Sequence, residues 1–431
     1  MRILLINQSW LAQELRVLGH EVVTCGYNPT FQVQIPKRVI PIQEVLQALG
    51  DFSPEVLVFL DDSMPAFMVS GLDTCDIPSV FYSVDTHQHR DAHFVIAPLF
   101  DQVLVAQRDY IPHFQASGTP VTWFPLWAPR YVEPSPRKSF PAAFVGTLDA
   151  ALNPRRVSFF KALSQRIPVH IDSGDYAEIF SRSDIVVNQT VKGDLNFRVF
   201  EAMMCGALLL TERIENGLLE LFQEGTHLIT YEPDNVDEVV ERFQSLLGEP
   251  HRIKEIALAG REEILARHTG MHRAVALERI LVGLQRRLSR PERHYASMSN
   301  NALVNRLLVE LGHQPCVYAA SAGLLAAEAG LQLGLRLDER ETTMLIATCG
   351  IFDQITSTHM GAELVRRFYE RLPENPLLVF AHIHSLLERG EKNAAVEVAT
   401  QQFRGPSEHV CGIASDVIPR IIRGEIRLPP G

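Results

Sequence analysis

Two successive series of short apolar runs, separated by helix-length polar and apolar mixtures, constrain this chain more than any other feature. The first series occupies residues 2–6, 21–25, 56–60, 79–85, 102–106 and 120–124, and the second 143–146, 169–171, 185–187, 208–210 and 227–231. Runs this short and this uniformly apolar belong to strands buried on both faces. Strands of that kind alternating with helices make parallel α/β sheets. Between the two series lies APRYVEPSPRKSFP, rich in proline and charge and without periodicity, which reads as a linker. The organisation expected is an α/β domain at 1–128, a linker at 129–141, a second α/β domain at 142–289 and a unit at 290–431 in which strand signals vanish and helical segments follow one another. Residues 236–248 and 251–288 are predicted as amphipathic helices. In the tail, LLERGEKNAAVEVATQQF has the layout of one tetratricopeptide-like hairpin, and an irregular helical bundle accounts for it equally well.

A length of 431 residues exceeds one typical core, and 46% hydrophobic content is ample for globular packing. The formal charge of −11 argues against nucleic acid as the main partner, while leaving room for a local basic site that holds a small polyanion. Cys25, Cys75, Cys205, Cys316, Cys349 and Cys411 form no Cys-x-x-Cys pair, so neither a zinc knot nor a secreted disulfide framework is expected. The opening MRILLIN reads as neither signal peptide nor spanning helix, and the cytoplasm is the expected compartment.

In open parallel sheets ligands gather at the carboxyl ends of strands. That directs attention to the segment after the strand at 185–187, which leads into NFRVFEAMMCGALLLTE. Backbone N–H groups where a helix starts at Asn196 and Phe197 can face an anion, and Arg198 adds a forked cationic donor set, so a diphosphate suits both. Glu201, one turn deeper, can accept paired hydroxyl hydrogen bonds from a ribose. The competing reading is a surface ion pair between Arg198 and Glu201, worth some tenths of a kcal/mol.

NFRVFEAMMCGALLLTE, followed by GLLELFQEGTHLITYEPDNVDEVVERF and ARHTGMHRA, resembles the C-terminal domain of group 1 glycosyltransferases, in particular the branch with spore-maturation-type proteins. The resemblance covers roughly residues 143–285. It implies a GT-B fold of two Rossmann-like domains, followed here by the helical tail, with a nucleoside-diphosphate sugar, UDP- or GDP-linked, held mainly by the second domain. It implies no permanently bound cofactor and no metal. Glu201 matches the glutamate that holds the nucleotide ribose, and Arg198 an arginine of this branch. Many retaining members carry a further glutamate eight positions earlier, where this chain has Gly193 with Asp194 adjacent. Either Asp194 substitutes or the branch dispenses with that group. GTLDAALNPRR resembles the phosphate-side loop, which assigns Gly146 and Thr147 to close backbone approach and Arg155 or Arg156 to a phosphate, unless the two arginines simply face solvent.

In FYSVDTHQHRDAH the strand-end Asp85-Thr86-His87 resembles the same branch, with His87 as a base toward an acceptor hydroxyl or a group holding the donor sugar. Capping of the next turn by Asp85 or His87 is the plainer alternative. His87, His89 and His93 lack the i, i+4 spacing of helical zinc pairs. Gly-x-Gly-x-x-Gly, P-loop, Gly-x-Ser-x-Gly and Asp-x-Asp motifs are all missing from the sequence. The function expected is sugar transfer from a nucleotide sugar to an acceptor hydroxyl on a glycan, lipid-linked glycan, small molecule or protein. The alternatives are a nucleotide-sugar epimerase of the same fold and a degenerate module serving as a protein scaffold. The helical tail is the expected surface for a protein acceptor or a homodimer contact.

Overall fold

The computed structural model describes residues 1–35, 39–61, 68–70, 72, 75–116, 118–284, 336–423 and 425, with positions 324, 327, 328, 330, 331 and 334 ahead of the tail helices. The first domain contains β1 (Arg2–Ile6), β2 (Glu21–Gly26), β3 (Val33–Gln34), β4 (Val39–Pro41), β5 (Val56–Leu60), β6 (Met68–Ser70), β7 (Ser79–Ser83), β8 (Gln102–Val105) and β9 (Val121–Trp123). Seven of them form one parallel sheet in the order β3-β2-β1-β5-β7-β8-β9, and β4 pairs with β6 apart from it. Helices α1 (Ala12–Val17), α2 (Ile42–Ala48), α3 (Thr86–Ile96) and α4 (Ile111–Ala116) lie between strands. β7 stops two residues short of Asp85 because the Val84 and Asp85 amides turn to the Asp61 carboxylate.

The second sheet is parallel throughout, in the order β11-β10-β12-β13-β14, from β10 (Phe140–Val145), β11 (Val169–Asp172), β12 (Ser183–Asn188), β13 (Leu208–Glu212) and β14 (Ile229–Tyr231). Its helices are α5 (Pro154–Ser164), α6 (Tyr176–Ser181), α7 (Phe197–Met204), α8 (Leu218–Leu221), α9 (Val236–Leu247), α10 (Pro250–Arg267) and α11 (Gly270–Val282). The period-2 alternation of each strand feeds two layers. Ile3 and Leu5 join Val186 and Leu209 in one apolar cluster, whereas Leu4 and Ile6 face a cluster that continues into the tail at Phe352 and Phe368. The helix expected over 251–288 is broken. His268 and Thr269 interrupt it, and Thr269 caps α11 by accepting from the His272 amide. α11 then packs on α1 of the first domain, with His20 Nε2 at 3.0 Å from Glu278 Oε1.

Two stretches connect the domains side by side. Ala128 bridges Thr269, and Arg273 donates to the carbonyls of Pro125 (2.7 Å) and Leu126 (3.1 Å). Helices Glu339–Thr356, Met360–Arg371, Pro376–Glu388, Lys392–Gln402 and Ser407–Ile422 make the C-terminal unit, each packed on the next. The fold is therefore α/β, with two parallel Rossmann-like sheets and, among the described residues, a helical C-terminal region. Among the described residues no helix is long and apolar enough to cross a membrane.

Candidate functional site

The carboxyl ends of β10, β12 and β13 converge with the start of α7. Beyond β12 the chain makes a tight turn, with Lys192 (φ 53°) and Gly193 (φ 76°) both left-handed and Asp194 Oδ1 accepting from the Val191 amide. The first domain holds this turn in place. Gln107 accepts from the Leu195 amide at 2.8 Å and donates to its carbonyl, while Asn216, which exchanges hydrogen bonds with Asp109, donates to the Gly193 carbonyl at 2.7 Å. The loop thus sits at the domain boundary, against residues that directly follow β8.

α7 opens at Asn196, whose side chain makes no capping hydrogen bond and whose Oδ1 is buried without a partner. The first amides of an eight-residue helix are left for something else to accept. Arg198 and Glu201 do not form the surface pair that their spacing allows. Arg198 donates from Nε to the Val145 carbonyl (2.9 Å) and from Nη1 to Asn188 Oδ1 (2.8 Å), with its guanidinium over the Phe144 ring at 4.4 Å. Its remaining nitrogen, Nη2, lies against Gly146, where any Cβ would collide with it. The reason is the direction of α7, which aims its first turn at the ends of β10 and β12 and so carries Arg198 under the Gly146 loop. Burial lowers its pKa to about 10, helped by the nearby Arg156 charge, and leaves it cationic at neutral pH.

Glu201 is pushed the other way. Burial raises its carboxyl pKa to about 7, against the opposing pull of Arg198 and Arg130. A carboxyl raised from 4.5 to about 7 stabilises the fold fully below its ordinary value, and that contribution is lost as pH rises through about 7. Glu201→Gln, neutral throughout, should therefore melt progressively higher than wild type as pH rises from 4.5 to beyond 7. The gap should grow by at most about 1.4 kcal/mol per pH unit. Melting curves recorded across that range with a constant offset would contradict the assignment.

The two adjacent arginines at the start of α5 diverge. Arg155 donates to Glu212 Oε1 at 2.9 Å and to both oxygens of Asp234 at 2.5 Å. Arg156 is buried and donates to Gln189 through its side-chain and backbone oxygens at 3.1 and 3.2 Å. Arg156 thus turns inward, whereas Arg155 stays exposed while ion-paired to Glu212 and Asp234. A pocket of about 370 Å³ lies here, lined by Arg155, Thr190, Lys192 and Glu212 of the second domain with Asp109 of the first. Thr147 is exposed beside Gly146.

Across the boundary, Asp85 occupies the N-cap position of α3 but makes no side-chain capping bond there. His87 is 6% exposed, and neither ring nitrogen has a hydrogen-bond partner. Burial lowers its pKa; the Asp194 charge opposes this and Lys192 adds to it, so two second-domain residues act on a first-domain imidazole. A neutral buried imidazole with a vacant acceptor nitrogen is suited to taking a proton. His93, by contrast, is committed to Ser83 and Asp61. Among the described residues no group of three His, Cys, Asp or Glu side chains is placed to hold a metal ion. Sequence reading passed over Asp61 and Gln107. The signal was available, since each directly follows a run of buried strand residues.

Residues 132–279 match a family model described as glycosyl transferase-like. The matched segment runs from β10 into α11 and includes the site residues of the second domain described above. No curated protein matches the chain. Among solved structures, a sucrose-phosphate synthase from Thermosynechococcus elongatus is 11% identical over 65% of this chain and 98% of its own, with a TM-score of 0.47. Anabaena HepE in complex with UDP-glucose is 12% identical over 66% and 100% (TM-score 0.47), and a Rickettsia africae glycosyltransferase 10% over 65% and 97% (TM-score 0.44).

Proposed function

We propose that this protein transfers a sugar from a nucleoside-diphosphate sugar, UDP- or GDP-linked, to an acceptor hydroxyl in the cytoplasm. The observation that carries the reading is Arg198 lodged beneath Gly146 at the uncapped start of α7, inside the glycosyltransferase-like segment. In this reading the α7 amides at Asn196, the Gly146-Thr147 backbone, Arg198 and Arg155 receive the diphosphate, and Glu201 accepts from the ribose hydroxyls. His87, presented by the turn at Asp85, takes the acceptor proton. A bond forms between the acceptor oxygen and the sugar C1, the bond from C1 to the phosphate oxygen breaks, and its electron pair leaves with the diphosphate, whose charge the arginines and amides offset.

A thermal-shift panel of UDP, GDP, UDP-glucose, UDP-N-acetylglucosamine and GDP-mannose tests the donor half of this reading. A ligand at a hundredfold excess over its Kd stabilises by about 2.7 kcal/mol. No shift with any of the five would overturn it. We assign the helical region to a protein acceptor or a second copy of the chain, and the mass of the full chain in solution separates the two: a dimer supports the second, a monomer leaves only the first.

A further inference from the structure

His87 poses a question of support. A buried imidazole with no hydrogen bond of its own is placed by packing and by the turn that carries it. In that turn the Val84 and Asp85 amides and the Thr86 hydroxyl are all tied down. Asp61, the residue after β5, is 3% exposed, and its Oδ2 accepts from the Val84 amide at 3.3 Å and the Asp85 amide at 3.0 Å. Its Oδ1 lies 3.4 Å from Nε2 of His93, and Nδ1 of His93 lies 2.8 Å from Ser83 Oγ. Ser83 Oγ in turn bonds Thr86 Oγ1, the residue before His87. Ser83 and Thr86 are fully buried and His93 is 4% exposed, so the ring of contacts lies in the protein interior. It joins the end of β5, the end of β7 and the second half of α3, a helix kinked at His89 (φ −118°, ψ 26°) between His87 and His93.

We propose that Asp61 and His93 are positioning residues of the transfer reaction, which fix the turn at 84–87 and through it the ring of His87. The inference rests on the reading of His87 as the group that faces the acceptor. Asp61 spends one carboxylate oxygen on the turn and the other on His93, and an asparagine offers one acceptor in place of two. Asp61→Asn therefore removes the carboxylate charge from the ring and keeps both contacts only if His93 changes tautomer, accepting at Nε2 and turning Nδ1–H onto Ser83 Oγ, a rearrangement that shifts the turn. A displacement on the order of 1 Å in a reacting group costs about 10²-fold in rate.

The test is a double-mutant cycle, with nucleoside diphosphate release measured from whichever of UDP-glucose, UDP-N-acetylglucosamine and GDP-mannose the full-length protein turns over. Asp61→Asn should lower kcat by about 10²-fold while the donor KM holds. In a His87→Ala background the same change should cost nothing further, because its effect passes through His87. Ser83→Ala, which deletes one hydroxyl from the ring and leaves Asp61 on both amides, should lower kcat in the same direction and serves if Asp61→Asn fails to fold. Full activity in a folded Asp61→Asn or Ser83→Ala protein beside a slow His87→Ala protein would overturn the positioning role alone. Additive losses in the double mutant would do the same. A fully active His87→Ala protein would instead overturn the functional reading on which the inference rests.

Discussion

His87→Ala is expected to lower turnover by about 10² to 10⁴ while leaving donor affinity in place. The asymmetry follows from where the ring sits. His87 belongs to the first domain, and its nitrogens have no hydrogen-bond partner within the protein, so its removal strips no partner from a buried group. The donor contacts assigned here all come from the second domain. Steady-state kinetics and donor binding by titration calorimetry on one preparation check this, and an equal fall in both quantities would make His87 a binding group only. The pH profile adds a second reading. Burial holds the His87 pKa below its ordinary value, so the rate should reach its plateau at lower pH than a solvent-exposed histidine would set.

Arg198→Ala is expected to abolish donor binding and to weaken the second domain as well. Spacing alone suggests a surface side chain whose loss would spare the fold, but the structure places the guanidinium over the Phe144 ring, between the Val145 carbonyl and Asn188 Oδ1. Deleting it leaves two acceptors without their donor, at about 1–3 kcal/mol for each that remains buried and unsatisfied. Arg198→Lys separates the two effects. It keeps the charge for a diphosphate but cannot serve both acceptors with the same planar fork. Urea unfolding together with donor titration distinguishes the outcomes: a lysine variant that regains donor affinity at reduced stability is expected, and an alanine variant with wild-type affinity would remove Arg198 from the phosphate site.

These two residues illustrate different limits of legibility. Arg198 and Glu201 stand out in sequence because a helix of that apolarity has no packing reason for them, and their positions just after a strand match the place where parallel sheets hold ligands. Their surroundings were not legible. Whether two residues three apart pair on a surface or part company depends on where the helix points, and the ends of β10 and β12, 53 and 10 residues from Arg198 in the chain, decide that.

The sequence by itself determined the architecture. Uninterrupted apolar runs such as VLVFL and the alternation inside RILLI leave few folds other than two parallel α/β layers, because strands buried on both faces need helices on each side. It also determined the helical character of the tail, where strand patterning stops. Only the tertiary structure decided which polar residues meet. Asp61 joins His93 and the amides after β7, and Gln107 grips a loop of the other domain 88 residues away. Those partnerships arise from sheet order and from the docking of one domain on the other, and hydrophobic periodicity along a chain records which face a residue occupies but not what that face will touch.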